Sequence, residues 1–109
     1  MDRTITPQDL KSLIKNKAVT LLDVRRKNDY DADGVVIPGA EWRDPDKVEE
    51  WSAGLPQDQE IVIYCARGGS VSNKVLDQLL IKTANARYIE GGIDAWRAAN
   101  NETRKNTVR

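Results

Sequence analysis

The feature that most restricts the fold is an unbroken apolar run, Ile61-Val62-Ile63-Tyr64, which leads through a short glycine-containing segment into a helical pattern. A run without alternating polar and apolar residues is typical of a strand buried on both faces of a parallel sheet. From Ser70 to about Lys82, apolar residues then recur along one stripe at helical spacing. A buried strand followed directly by an amphipathic helix predicts an α/β domain.

Weaker patterns of the same two kinds occur along the rest of the chain. They predict strands at 19–24, 40–42 and 86–90, and helices from a Thr6 cap to Asn16 or Lys17, from Asp44 to Gly54 and from Ile93 to Ala99. No element is predicted in the highly charged segment 25–33. Because strands and helices alternate, the sheet should be mostly parallel.

The length of 109 residues fits one domain. We predict this domain over residues 1–99. Residues 100–109 contain one apolar side chain, Val108, and are interpreted as a polar, solvated C-terminal tail.

Composition narrows the possible functions. Lys and Arg together number 17, as do Asp and Glu, so we expect neither nucleic acid nor a membrane surface as a partner. The absence of histidine excludes a Ser-His-Asp triad and a histidine-liganded metal site, and the single cysteine excludes an internal disulfide and a thiolate zinc site. No apolar run reaches about 20 residues and the N-terminus lacks a signal-peptide core, so we expect a cytoplasmic protein. Because the chain has no histidine and a single cysteine, we expect it to use neither a metal nor a cofactor.

The segment Cys65-Ala66-Arg67-Gly68-Gly69-Ser70 lies between the buried strand and the helix. Two adjacent glycines let backbone N–H groups turn inward around an anion, and the first turn of the helix adds further N–H groups. Such a position favours the thiolate of Cys65 over the thiol. Two other interpretations stay open: Cys65 is a small buried hydrophobic residue, or the loop binds a phosphate without using the sulfur. A P-loop would carry Lys-Ser or Lys-Thr after the glycines, where this chain has Ser70-Val71.

Charged residues end the predicted strands, at the edge where parallel sheets bind ligands. Asp23 and Glu90 are expected to converge there with Cys65. Asp23 either accepts hydrogen bonds from the loop amides or pairs with a nearby arginine, and we assign Asp23 and Arg25 a supporting role. Glu90 is expected to stabilise a turn, and Trp42 is a candidate pocket residue.

Four short motifs follow one another along the chain. They are Leu21-Leu22-Asp23-Val24-Arg25, Asp29-Tyr30 with Gly34 and Ile37-Pro38-Gly39-Ala40, Ile63-Tyr64-Cys65 with Gly68, and Glu90-Gly91-Gly92 with Trp96. In this order and spacing, from about Thr4 to Ala98, the chain resembles the rhodanese (thiosulfate sulfurtransferase) family. The resemblance implies a rhodanese-like fold, with a central, mostly parallel five-stranded sheet flanked by helices on both faces.

The resemblance also implies an enzyme that moves sulfane sulfur from a donor such as thiosulfate to cyanide or a thiol, which can be a protein thiol. Cys65 would carry the sulfur as a persulfide, and the amides of residues 66–70 would hold it. Arg67 either binds the anionic donor or is a solvent-facing loop residue. The basic run 25–27 either attracts anionic donors at the rim or forms a solvated face. The alternatives are a rhodanese-like binding or sulfur-relay module with little turnover, and a thiol sensor that pairs with glutathione or another protein.

The chain departs from the family pattern at two places. Val35-Val36 stands where the family has a histidine, so we expect altered loop packing rather than lost activity. Many members carry Arg-Ser at the fifth and sixth positions after the cysteine, where this chain has Ser70 and Val71. That difference bears on donor preference rather than on the chemistry. Related phosphatases and arsenate reductases place an arginine at the sixth position, so Val71 disfavours that function.

Overall fold

The computed structural model describes residues 3–56, 58–83 and 85–105. Strands and helices follow in the order β1 (Thr4–Ile5), α1 (Pro7–Lys15), β2 (Val19–Asp23), α2 (Lys27–Asp33), β3 (Val35–Val36), β4 (Glu41–Trp42), α3 (Val48–Ser52), β5 (Glu60–Tyr64), α4 (Ser70–Leu80), β6 (Ala86–Ile89), α5 (Gly92–Ala98) and β7 (Arg104–Lys105).

The central sheet has five strands in the order β1-β6-β5-β2-β4, and every neighbouring pair is parallel. β5 lies in the middle, where it pairs with β2 from Val19 opposite Glu60 to Asp23 opposite Tyr64. The predicted five-stranded parallel sheet is therefore confirmed. The strand that leads into Cys65 is also the one at the centre of the sheet.

Helices cover both faces of the sheet, as predicted. Val62 and Tyr64 of β5 belong to one buried cluster with residues of α1 and α5, and Ile61 and Ile63 belong to a second cluster with residues of α3 and α4. The helical members of the two clusters are Leu10, Ile93 and Trp96 on one face and Val48, Val75, Leu76 and Leu79 on the other. Each fully buried side chain of this size stabilises the fold by about 1.5–3 kcal/mol.

The strongest local patterns form the predicted elements. Thr6 caps α1, since its hydroxyl accepts a hydrogen bond from the N–H of Asp9 at 3.1 Å. The helix ends at Lys15 with Asn16 as its C-cap, and α4 spans Ser70–Leu80. Both results agree with the sequence predictions.

The charged segment 25–33 forms a helix, α2, that the sequence did not predict. Tyr30 is its single buried residue, so no apolar stripe marks it in the sequence. Tertiary contacts hold it instead: the Tyr30 ring lies 5.5 Å from that of Trp42 and 5.6 Å from the guanidinium carbon of Arg25. Gly34 ends the helix with φ of +75°.

The segment after Ala99 contacts the rest of the domain, unlike the solvated tail expected from its composition. Arg104 and Lys105 pair antiparallel with Val36 and Val35, although their side chains are exposed. The indole N–H of Trp96 donates a hydrogen bond to the carbonyl oxygen of Glu102 at 2.6 Å. Val108 lies outside the described residues.

None of the helices in the described part of the chain is both long enough and apolar enough to span a membrane.

Candidate active site

Cys65 follows the last residue of β5 at the carboxyl end of the sheet. Its residue exposure is 6%. Its carbonyl oxygen accepts a hydrogen bond from the N–H of Ile93 at 3.0 Å, and that of Ala66 accepts one from the N–H of Asp94 at 3.1 Å. The start of α5 therefore fixes the backbone on which the thiol is carried.

Cys65 lines an open cavity of about 500 Å³, called here the cysteine cavity. Its walls come from the loop after β5, from the segment 25–33 that contains α2, and from α5, which contributes Asp94. Of the predicted site residues, those that line it are Arg25, Cys65, Ala66, Arg67, Gly69 and Ser70. Asp23, Gly68, Glu90 and Trp42 are not among the lining residues.

The loop is held in shape by close contact with the turn before α5. Gly68 has φ of +68°, and a Cβ atom on it would lie 2.8 Å from the backbone nitrogen of Gly91. Gly92 has φ of +63°, and its Cβ would lie 2.5 Å from the carbonyl oxygen of Cys65. Only glycine allows both the backbone conformation and this approach. The motif Glu90-Gly91-Gly92 is evident in the sequence, but its contact with the loop is not.

The loop presents hydrogen-bond donors that are not used elsewhere. Within the part of the chain that the structure describes, the backbone N–H groups of residues 66–70 donate to no protein acceptor. They are followed by the first turn of α4, whose free N–H groups and dipole favour negative charge. The arrangement suits an anion such as a thiolate or a persulfide.

Asp23 accepts hydrogen bonds from Arg25, and among the described residues it accepts none from the loop amides. Both side chains are buried, and the closest of their contacts joins Arg25 Nη2 to Asp23 Oδ2 at 2.7 Å. The N–H of Arg25 also donates to Asp23 Oδ1 at 2.9 Å. Burial alone would lower the pKa of Arg25, but hydrogen bonds to Asp23 and the charge of Asp23 outweigh burial and raise it. Of the two roles considered for Asp23, pairing with an arginine is the one observed.

Alternating charges continue this pair toward the surface. Six residues form what we call the charge ladder: Asp23, Arg25, Asp33, Arg97, Asp94 and Arg67. Arg25 to Asp33 and Arg97 to Asp33 each measure 2.7 Å, and Arg97 to Asp94 measures 2.8 Å. The hydrogen bonds that Arg97 donates to Asp33 and Asp94 raise the pKa of Arg97. The ladder joins the sheet edge, α2, α5 and the loop.

Arg67 is the outermost member of the charge ladder. Its side chain is 87% exposed, and its Nε lies 3.6 Å from Asp94 Oδ2. Arg67 thus has features of both interpretations considered from the sequence, because it lines the cysteine cavity and also faces solvent. To bind an anionic donor, the Arg67 guanidinium would have to leave Asp94 and pair with the negative charge of the donor.

Several acidic residues of the site were missed by sequence reasoning. Asp29 and Asp33 line the cysteine cavity from α2, the helix that was not predicted, and Asp94 lines it from α5. Conversely, Glu90 is exposed and Trp42 packs outside the cavity, with its indole N–H donating to the carbonyl oxygen of Arg25 at 2.8 Å. The expectations that Glu90 converges on the cysteine and that Trp42 lines the pocket were wrong.

Within residues 3–56, 58–83 and 85–105, no three histidine, cysteine, aspartate or glutamate side chains are grouped so that they could hold a metal ion.

Comparison with known proteins gives a curated relative and several similar solved structures. The probable adenylyltransferase/sulfurtransferase MoeZ of Mycobacterium tuberculosis is 32% identical over 96 residues, which are 85% of this chain and 24% of MoeZ. The chain thus spans about a quarter of the length of that relative. A rhodanese-related protein from Thermoplasma volcanium superposes with a TM-score of 0.80 at 26% identity, covering 94% of this chain and 97% of its own.

A second solved structure carries a different description. The protein from Rhodopseudomonas palustris, described as of unknown function and a possible tyrosine phosphatase, superposes with a TM-score of 0.79 at 26% identity, covering 94% of this chain and 85% of its own. The family model for the rhodanese-like domain matches residues 6–99, which include β2, the cysteine loop and α5. This chain belongs to the rhodanese-like domain family.

Proposed function

We propose that this protein is a sulfurtransferase that carries sulfane sulfur as a persulfide on Cys65. The observation that carries the proposal is the placement of the thiol at the wall of an open cavity, beside a loop whose N–H groups have no protein acceptor. These groups would stabilise the negative charge of the thiolate before transfer and of the persulfide after it.

The reaction would proceed in two steps. In the first, the thiolate of Cys65 attacks the outer sulfur of a donor such as thiosulfate, and the donor's S–S bond breaks so that sulfite leaves with the electron pair. In the second, an acceptor such as cyanide or a thiolate attacks the outer sulfur of the persulfide, and Cys65 leaves as the thiolate. The negative charge would lie on Cys65 Sγ before the transfer and on the outer sulfur of the persulfide after it, and the loop amides would stabilise it in both positions.

Arg67 would bind the anionic donor at the mouth of the cavity. Its exposure lets it reach a ligand, and its 3.6 Å separation from Asp94 is longer than the other ion pairs of the charge ladder. The donor's charge would replace that of Asp94 as the partner of the guanidinium.

The test is the intact mass of the pure protein before and after incubation with thiosulfate. Since Cys65 is the single cysteine, a gain of about 32 Da that disappears with cyanide would identify the persulfide. A gain with polysulfide but not with thiosulfate would keep the chemistry and change the donor. The Cys65→Ser variant is the control and should gain no sulfur. Turnover of thiosulfate and cyanide by that variant would contradict the mechanism.

A sulfur-relay module with little turnover is the second candidate. It is favoured by the match to about a quarter of MoeZ, a longer protein whose description includes sulfurtransferase. Such a module would load with sulfur but return it slowly to cyanide and quickly to a protein thiol. Absence of loading from either thiosulfate or polysulfide would instead favour a binding module.

A phosphatase activity of the kind suggested for the Rhodopseudomonas palustris protein has less support. Val71 occupies the sixth position after Cys65, where such enzymes carry an arginine that grips the phosphate. Hydrolysis of p-nitrophenyl phosphate by the wild type but not by Cys65→Ser would reverse this preference.

A further inference from the structure

A second cavity, of about 210 Å³, adjoins the cysteine cavity and is called here the side cavity. The two share Arg26, Ser70 and Val71 in their walls. Lys74 and Val75 extend the side cavity along α4, and Pro45 and Asp46 close its far side. The two cavities therefore adjoin, with Arg26 lining both of them.

The side cavity contains two cations that are free to bind a ligand. Within the described residues, the side chains of Arg26 and Lys74 form no ion pair and donate no hydrogen bond. Arg25 and Arg67, by contrast, are both engaged in the charge ladder. Among the described residues that line the side cavity, Asp46 is the one carboxylate, so this lining carries one net positive charge.

We infer that the side cavity binds the carboxylate of a small organic thiol that exchanges sulfur with Cys65. In an inorganic donor such as thiosulfate, the charge lies on atoms next to the transferred sulfur, so it would stay inside the cysteine cavity. The two free cations lie in the adjoining compartment and match a ligand whose anion is several bonds from its sulfur. One net positive charge attracts a carboxylate of the ligand.

The choice of a thiol as occupant rests on the proposed function. The thiolate of the ligand attacks the outer sulfur of the Cys65 persulfide, and the S–S bond of the persulfide breaks. Cys65 leaves as a thiolate and the ligand becomes a persulfide, so no oxidant or reductant is consumed. Arg26 and Lys74 hold the carboxylate during this step.

The first experiment uses acceptors of different charge. Cys65 is loaded with sulfur, and its unloading rate is measured with 3-mercaptopropionate, which carries a carboxylate, and with the neutral thiol 2-mercaptoethanol. The ratio of the two rates is compared between proteins, so that the intrinsic reactivity of each thiol cancels. Lys74→Gln and Arg26→Gln should each lower this ratio about threefold. Added salt should lower it in the wild type.

The matched control is Lys11→Gln. Lys11 is an exposed lysine of α1, which packs on the opposite face of the sheet from α4, and its removal changes the net charge equally. It should leave the ratio unchanged. Equal ratios in the wild type and all three variants would overturn the inference while leaving the proposed sulfur transfer intact.

The second experiment does not need sulfur transfer. Cys65 is labelled with two methanethiosulfonate reagents, one ending in a sulfonate and the other in a trimethylammonium group. The wild type should prefer the sulfonate reagent, and Lys74→Gln and Arg26→Gln should reduce that preference. If Cys65 does not load with sulfur but the preference is found, the proposed function fails and the anion site stands. Absence of the preference in the wild type counts against the site.

Discussion

Adding one methyl group at Gly92 should weaken the fold and distort the loop that carries Cys65. A Cβ atom at this position would lie 2.5 Å from the carbonyl oxygen of Cys65 and 2.6 Å from the carbonyl carbon of Ala66. Both are backbone atoms, which cannot rotate away as the end of a side chain can. The loop itself would therefore have to move.

Two costs add up in the Gly92→Ala variant. The φ of +63° is a left-handed conformation, which costs an L-residue about 1–2 kcal/mol. Forcing extra atoms into a packed contact costs about 1–3 kcal/mol more. We expect the free energy of unfolding to fall by about 2–5 kcal/mol, a large part of the 5–15 kcal/mol typical of a domain.

Gly34→Ala separates these two costs. Gly34 has φ of +75°, yet a Cβ atom on it would meet no heavy atom within 4 Å. It should lose only the conformational part, about 1–2 kcal/mol. Urea denaturation of both variants, with an unchanged slope, would measure the difference.

The rate of Cys65 alkylation by iodoacetamide, under conditions where each variant is folded, gives a second readout. Gly92→Ala should change that rate because it displaces the Cys65 carbonyl group, and Gly34→Ala should not. Equal stability losses with equal alkylation rates would refute the idea that the turn at Gly92 sets the shape of the loop.

Three other predictions concern charge. Arg67→Ala should raise the KM for thiosulfate about threefold. Asp94→Asn should lower this KM, because Arg67 then loses its carboxylate partner and is free to bind the donor. If both variants keep the wild-type KM in steady-state kinetics, Arg67 is not part of the donor site. Asp23→Asn should cost about 3 kcal/mol of unfolding free energy, the lower end for a broken buried pair, because the buried Arg25 keeps Asp33 as its remaining carboxylate partner. A loss under about 1 kcal/mol in urea denaturation, the size expected of an exposed pair, would contradict this. Burial raises the pKa of Tyr64 above its usual value of 10.0. The stabilisation that comes from the neutral, buried phenol is therefore complete below about pH 10 and is lost as the pH rises above it, because the phenol then ionises in the unfolded chain. The free energy of unfolding should fall by up to about 1.4 kcal/mol per pH unit. Urea denaturation between pH 9 and 11 should show a smaller fall for Tyr64→Phe than for the wild type, and an equal fall in both proteins would contradict this.

The elements that could be predicted are those with a local signal. The apolar run of β5 and the apolar stripe of α4 can each be recognised within a segment of about ten residues. Both elements lie where the sequence predicted them. α2 carries no such signal, since its single buried residue is Tyr30. Its position depends on Trp42 and Arg25, whose contact with Tyr30 exists only in the folded chain.

The residues of the candidate site also differ in whether they could be predicted from the sequence. The cysteine loop could be predicted because two glycines, a strand end and a helix start are adjacent in sequence. Asp33 could not, because it enters the site on α2 and pairs with Arg97, 64 residues away. The pairing of Arg67 with Asp94 is likewise a product of tertiary structure, and it bears directly on the role that sequence assigned to Arg67.

The pairing of β7 with β3 shows that the fold includes described residues beyond the end of the family match. The family match stops at residue 99, but Lys105 pairs with Val35, whose carbonyl oxygen accepts a hydrogen bond from Arg25 at 2.8 Å. A foreign domain fused directly after residue 99 would deprive β3 of its strand partner and Trp96 of the Glu102 carbonyl group. A gene fusion should therefore keep at least the residues through Lys105.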